Sequence, residues 1–281
     1  MLYVLDFRII QKEIFMNRRQ LILGLGLLPQ TAWINSVFKN NNSVSTHSDP
    51  ISMNSAELSI SSPNNELNFK NFFLHKENFN AYKMAQKISL MEDYSKLGCI
   101  VINSPCGNGS THLAHAIGNK LNLMNPNKKI HIISSEKLMN QCVRHYRSNE
   151  MPIFRKFYRE SLDILVIDSF QYIQNGEFVQ TELLHTFKSI ADRGGLVIVT
   201  TDSGIDKMPL LNKNLADYIQ GGIELKIHSP SIQSRLELLK YFSQEHAVQI
   251  NPQNTYKIAK NKISTRALLG EIKKLKLIET I

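Results

Sequence analysis

Between residues 98 and 229 the chain alternates two patterns. Short unbroken apolar runs occur at GCIVINS (98–104), KIHIISS (129–135), LDILVIDS (162–169), GLVIVTTD (195–202) and IELKIHS (223–229). Their length and the Gly, Pro, Ser or Asp at their edges predict strands buried on both faces. Between them apolar residues return every three or four positions, the helical period. THLAHAIGNKLNLM (111–124) sets Leu113, Ile117 and Leu121 on one face, and SEKLMNQCVRHYRS (135–148) opens with a Ser cap. Strand and helix in alternation predict an α/β fold: a five-stranded, mainly parallel sheet with helices on both faces. A capped helix, ENFNAYKMAQKIS (77–89), precedes the first strand. After Pro230 only helical patterns remain, at 231–245, about 252–261 and 265–280, which predict a small helical lid.

The pattern gives an α/β core at 68–229 and the lid at 230–281. Residues 37–67 have neither period, are rich in Asn and Ser and contain Pro50 and Pro63, so a disordered linker is expected. Residues 1–36 include MNRRQLILGLGLLPQTA, with Arg18 and Arg19 ahead of an apolar stretch. That is the layout of a twin-arginine export signal. The alternatives are a chance extension, a short amphipathic helix or an interfacial anchor, and the run is too short to span a bilayer. The core points to the cytoplasm, with export or membrane association through the N-terminus as the alternative. Cys99, Cys106 and Cys142 are odd in number and irregular in spacing. This argues against a disulfide framework and a CxxC zinc site, and for a reducing compartment. The net charge of +9 favours an anionic partner: nucleic acid, nucleotide or an acidic protein surface.

Candidate chemistry sits between the first strand and the next helix. Ser104-Pro105-Cys106-Gly107-Asn108-Gly109-Ser110-Thr111 follows the frame of a phosphate-binding loop, G-x-x-x-x-G-K-[ST]. Gly107 and Gly109 permit the tight backbone that turns N–H groups toward phosphate. Thr111 offers a hydroxyl to Mg²⁺. The frame's first glycine is Ser104 here, and its lysine is Ser110, so the charge that meets the β- and γ-phosphates is missing. ILVIDS (164–169) ends on Asp168, which either holds Mg²⁺ beside such a loop or caps a strand end. The next residue is Ser169, where a hydrolysing site would carry a second carboxylate to activate water.

The segments FKNFFLHKENFNAYKMA (69–85), PCGNGSTHLAHAIGN (105–119), SSEKLMNQCV (134–143), FRKFYRESLDILVIDSFQYIQNGEFVQTELLHTFKSI (154–190) and STRALLGEI (264–272) resemble the AAA+ domain of the bacterial replication initiator family DnaA. The regulator Hda and the helicase loader DnaC are relatives of that family; the FRKFYR segment is most like DnaA. The resemblance covers about 68–280 and implies a P-loop AAA+ core with a helical lid, able to assemble on DNA. It implies ATP or ADP with Mg²⁺ bound by Gly107, Asn108, Gly109, Ser110, Thr111 and His112, with Thr111 and Asp168 on the metal. Asp202 fits the residue that senses the γ-phosphate. Arg266 fits the lid arginine that contacts nucleotide; alternatively it is a solvent arginine capping a helix.

The departures carry as much weight. The family's arginine finger falls on Tyr218, so the loop lysine, the base carboxylate and the finger are all absent. Weak or no hydrolysis follows, and nucleotide with Mg²⁺ is expected to bind weakly or not at all. The chain ends at Ile281, past the lid, so the family's duplex-reading helix-turn-helix domain is not expected, and its helicase-interaction domain is not recognisable in 1–67. By resemblance, 137–160 contacts single-stranded DNA through Lys137, Arg144, Arg147, Arg155, Lys156 and Arg159, with His145 and Tyr146 interleaved. The alternative is a solvated helical face whose aromatics join the core. The expected role is replication initiation or its regulation, by binding DnaA or single-stranded DNA. One alternative is a hydrolysing enzyme in which Lys120 or Lys137 replaces the lysine. Another is an exported or relic domain without a replication role.

Overall fold

The computed structural model describes residues 58–94 and 97–279; what is expected of 1–57 lies outside them. The apolar runs form β1 (Cys99–Asn103), β2 (Ile130–Ser134), β3 (Ile164–Asp168), β4 (Leu196–Thr201) and β5 (Ile223–Lys226). They make one sheet in the order β2-β3-β4-β1-β5, and every neighbouring pair is parallel. The sheet is parallel throughout because each strand is reached by a helical crossover. Those crossovers are α2 (Ser110–Met124), α3 (Ser135–Arg147) with α4 (Met151–Arg155), α5 (Glu177–Asp192) and α6 (Lys213–Gln220). Helix α1 (Phe79–Ile88) precedes β1.

Strand alternation separates two cores. Ile100, Ile102, Val166 and Ile198 face α1 and α2, packing on Ala85, Leu113, Ile117 and Leu121. Val101, Leu165, Ile167 and Val199 face the other side, where α3, α5 and α6 contribute Leu138, Leu183, Phe187 and Leu215. The helices α7 (Ile232–His246), α8 (Pro252–Asn261) and α9 (Thr265–Glu279) form the lid around Leu238, Leu239, Phe242, Leu268 and Ile272.

Residues 58–67, expected to belong to a disordered linker, instead pack on the core. The Ile132 N–H donates to Ser61 O at 2.9 Å, so this strap covers the edge of β2. His131 Nδ1 accepts the Ser61 N–H, and His115 Nδ1 accepts the Asn64 N–H. Asn119 donates to the carbonyls of Asn64 and Leu67. Buried Pro63 lies so close to Gly118 that an added Cβ would meet its ring at 2.9 Å. The linker composition hid this, because the bonds run through backbone atoms that any sequence carries. Burial pushes His131 down to about 4 and lowers His115, so both rings stay neutral acceptors.

Candidate nucleotide site

In an open parallel sheet, ligands meet the carboxyl ends of the strands. Here β4 lies between β3 and β1, which brings the ends of all three together. The loop leaves β1 at Ser104, whose N–H still bonds Thr201 O on β4 at 3.0 Å. Gly107 and Gly109 then take φ values of +82° and +106°, a region that L side chains rarely occupy. Gly109 is the N-cap of α2, so the free first-turn N–H groups of that helix begin at the loop. Phe72 seals one side of the turn: a Cβ on Gly109 would meet its ring at 3.0 Å. His112 packs edge-to-face on Phe72 at 5.1 Å and donates through Nε2 to Asn68 O. Burial lowers its pKa, opposed by that carbonyl.

Across the loop, Asp168 accepts from the Thr111 hydroxyl at 3.0 and 3.1 Å. It also accepts from the Thr200 hydroxyl at 2.5 Å. The two residues expected at a metal thus touch each other, and both carry hard oxygen atoms of the kind Mg²⁺ takes. Thr200 was not anticipated. It also accepts the N–H of Ser169, fixing the turn after β3, where Ser169 has φ +61°. The β4 residue that reaches Asp168 is therefore Thr200, whereas Asp202, expected to sense the γ-phosphate, lies exposed beyond the strand end. The donor set fits a metal–nucleotide only in part, because Ser110 leaves the loop without its cation.

The remaining candidates divide. Lys120 is ten positions along α2 from Ser110, about 15 Å by helix rise, beyond reach of the loop. Lys137 stands two residues past Ser135, whose hydroxyl donates to the backbone O of Asp168 at 3.1 Å, but its own side chain is exposed and its charge acts on His131. Arg266 is the second residue of the lid helix α9; its backbone N–H donates to Gly107 O at 3.0 Å, and its side chain is exposed. Tyr218, expected to stand at the finger position, is partly buried and donates to Phe187 O at 3.3 Å.

Among the expected DNA contacts, Lys137, Arg144 and Arg147 recur at helical spacing along the exposed side of α3, and Lys156 is also exposed. Arg155 and Arg159 were expected to be available for DNA, but both are committed within the fold. Arg155 grips Glu182 with two bonds of 3.1 and 2.7 Å, and Arg159 binds the same carboxylate at 2.6 Å. The Glu182 side chain is 7% exposed, and a buried carboxylate demands such partners. The aromatics also divide: His145, Phe154 and Tyr158 are buried, while Tyr146 is 52% exposed. Tyr146 meets Phe178, 40% exposed, at 4.8 Å between ring centroids. Phe178 escaped the sequence reading because it comes from α5, remote along the chain.

A parallel α/β core with a phosphate loop, a hydroxyl–carboxylate pair across it and a helical lid defines an AAA+ ATPase-type domain. The model of the bacterial DnaA ATPase domain matches residues 64–226, and the chain belongs to that family. The DnaA of Bdellovibrio bacteriovorus is 34% identical over 191 residues, 68% of this chain and 40% of the relative. That of Citrifermentans bemidjiense is 35% identical over 144 residues, 51% of this chain and 31% of the relative. The chain therefore spans less than half the length of these curated relatives. Domain III of Thermotoga maritima DnaA superposes with a TM-score of 0.71 at 27% identity, covering 78% of this chain and 91% of that one. The replication initiator DnaA bound to AMPPCP and single-stranded DNA shares the fold, with a TM-score of 0.69 at 23% identity, covering 76% of this chain and 66% of that one.

Proposed function

We propose that this chain is a nucleotide-binding DnaA-type domain with slow or no ATP hydrolysis. It acts in the cytoplasm, in chromosome replication initiation or its regulation, by engaging DnaA or single-stranded DNA. The observation that carries the reading is the Asp168 carboxylate held by the Thr111 and Thr200 hydroxyls beside a loop whose lysine is Ser110. The metal pair and loop amides favour a bound magnesium–nucleotide. The missing lysine, the serine at 169 and the inward Tyr218 remove the cation, the base and the finger that turnover requires. A relative seen with AMPPCP and single-stranded DNA agrees with both ligands.

The roles divide among the chain's own residues. The loop amides and α2 N-terminus orient the phosphates, and Thr111 with Asp168 would hold Mg²⁺. Magnesium, if held there, would neutralise phosphate charge. Ser169 has no carboxylate with which to take a proton from water. The test titrates the full chain with fluorescent ATP and ADP, with and without Mg²⁺, alongside a phosphate-release assay. Magnesium-dependent binding without release above the no-protein blank is expected, and Asp168→Asn should abolish the magnesium dependence. No binding would remove nucleotide from the reading. Release that Asp168→Asn abolishes would favour the hydrolysing alternative. That alternative rests on Lys137, two residues past Ser135 on α3, and predicts loss of release in Lys137→Met.

A further inference from the structure

One loop side chain reaches the lid at two separate places. Asn108 is 3% exposed. Its Oδ1 accepts the N–H of Thr265, the first residue of α9, at 3.1 Å. Its Nδ2 donates to Ser229 Oγ at 3.2 Å, on the segment that leads from β5 into α7. The Thr265 N–H can only donate, which fixes which end of the amide is oxygen. Beside it, Gly107 O accepts the N–H of Arg266, and the Ser264 hydroxyl accepts the N–H of Ala267 at 3.3 Å. Consecutive first-turn N–H groups of α9, which a helix cannot satisfy internally, are thus capped by the phosphate loop and Ser264. The surfaces also touch: a Cβ on Gly107 would meet Ser264 Oγ at 3.0 Å and Arg266 Cβ at 3.2 Å.

We infer that Asn108 is a latch: a positioning residue that holds α9, and with it Arg266, on the phosphate loop through protein contacts. A residue bonded both to the first N–H of α9 and to Ser229, ahead of α7, fixes the lid at two points on its chain. Lid closure is then a property of the folded domain. Nucleotide enters a site whose lid helix is already seated on the loop, and exchange of ATP for ADP moves that helix little. This consequence rests on the nucleotide reading above; the latch does not.

Hydrogen exchange on the full chain separates the two. The amides of 265–267 are expected to be protected without nucleotide and to change less than about twofold on adding AMPPCP with Mg²⁺. Asn108→Ala should cut their protection about tenfold, as loss of a buried bond implies. Ser229→Ala should cut it less, and Asn108→Asp, which keeps an acceptor for Thr265, should restore most of it. Protection in the core strands serves as the folding control for each variant. Rapid exchange at 265–267 in the wild type until AMPPCP is added would overturn the latch. So would unchanged protection in a folded Asn108→Ala. If AMPPCP binds nowhere while 265–267 stay protected and Asn108→Ala releases them, the nucleotide reading fails and the latch stands.

Discussion

Replacing Ser110 with lysine returns a point charge to a loop whose glycines already set the phosphate-facing backbone. A hydrogen bond to a charged group contributes about 1.5–3 kcal/mol, so Ser110→Lys should tighten ATP roughly ten- to a hundredfold in the fluorescence titration. Unchanged affinity would mean that side chain 110 does not meet phosphate. Ser169 tests a backbone effect. Its φ of +61° strains a residue with a Cβ, and Ser169→Gly should stabilise the domain by about 1 kcal/mol, read from the urea midpoint. The turn at Gly107 and Gly109 and the facing of Thr111 and Asp168 were legible as placement, because loop spacing and a strand end are local features. Thr200 was not, because it enters the site through the placement of β4 beside β3, a long-range fact. Arg266 was legible as a lid arginine, but the bond its own N–H makes to Gly107 was not.

Among the elements, α5 anchors the helical insertion that follows β2. Glu182 binds both Arg155 and Arg159, so Glu182→Ala leaves two cations without their partner. We expect a loss of about 3 kcal/mol, tempered because Arg155 stays partly solvated, measured by urea unfolding. No local pattern reveals this pairing, and the basic run read as DNA contact for that reason. The strap on β2 makes a pH prediction. His131 has a folded pKa near 4 against an ordinary 6.5, caused by burial and then by Lys137. Below 6.5 the unfolded chain binds more protons, so stability is complete above that value and falls as pH drops through about 4. His75, His112 and His115 are also lowered, each mainly by burial, and act in the same sense. His131→Gln, which keeps an acceptor for the Ser61 N–H and does not titrate, should flatten the stability curve between pH 6.5 and 4 without abolishing its slope. An unchanged slope would remove His131 from the acid response. The alternation of strands and helices was legible because each has its own period; the strap was not, because backbone bonding leaves no period behind.

For the whole molecule, an excess of positive charge must be weighed against where that charge is free to act. Lys137, Arg144, Arg147 and Lys156 are exposed, Arg155 and Arg159 are engaged by Glu182, and Tyr146 with Phe178 offers an exposed aromatic pair beside α3. Charges that neutralise phosphates on a single strand each contribute about −0.7 to the slope of log K against log salt. Four such contacts give a slope near −3, measurable by anisotropy with labelled oligothymidine. Arg144→Ala should make the slope shallower by about 0.7, while Arg155→Ala should change it less, since its guanidinium is already spoken for. Stacking has a different signature. Tyr146→Ala and Phe178→Ala should each weaken binding by about 1–3 kcal/mol and leave the salt slope in place. A shallower slope from Arg144→Ala with no effect of either aromatic change would mean that phosphates pass this face without bases stacking on it. No binding at low salt would take single-stranded DNA out of the proposed function and leave a protein partner as the target of the basic surface.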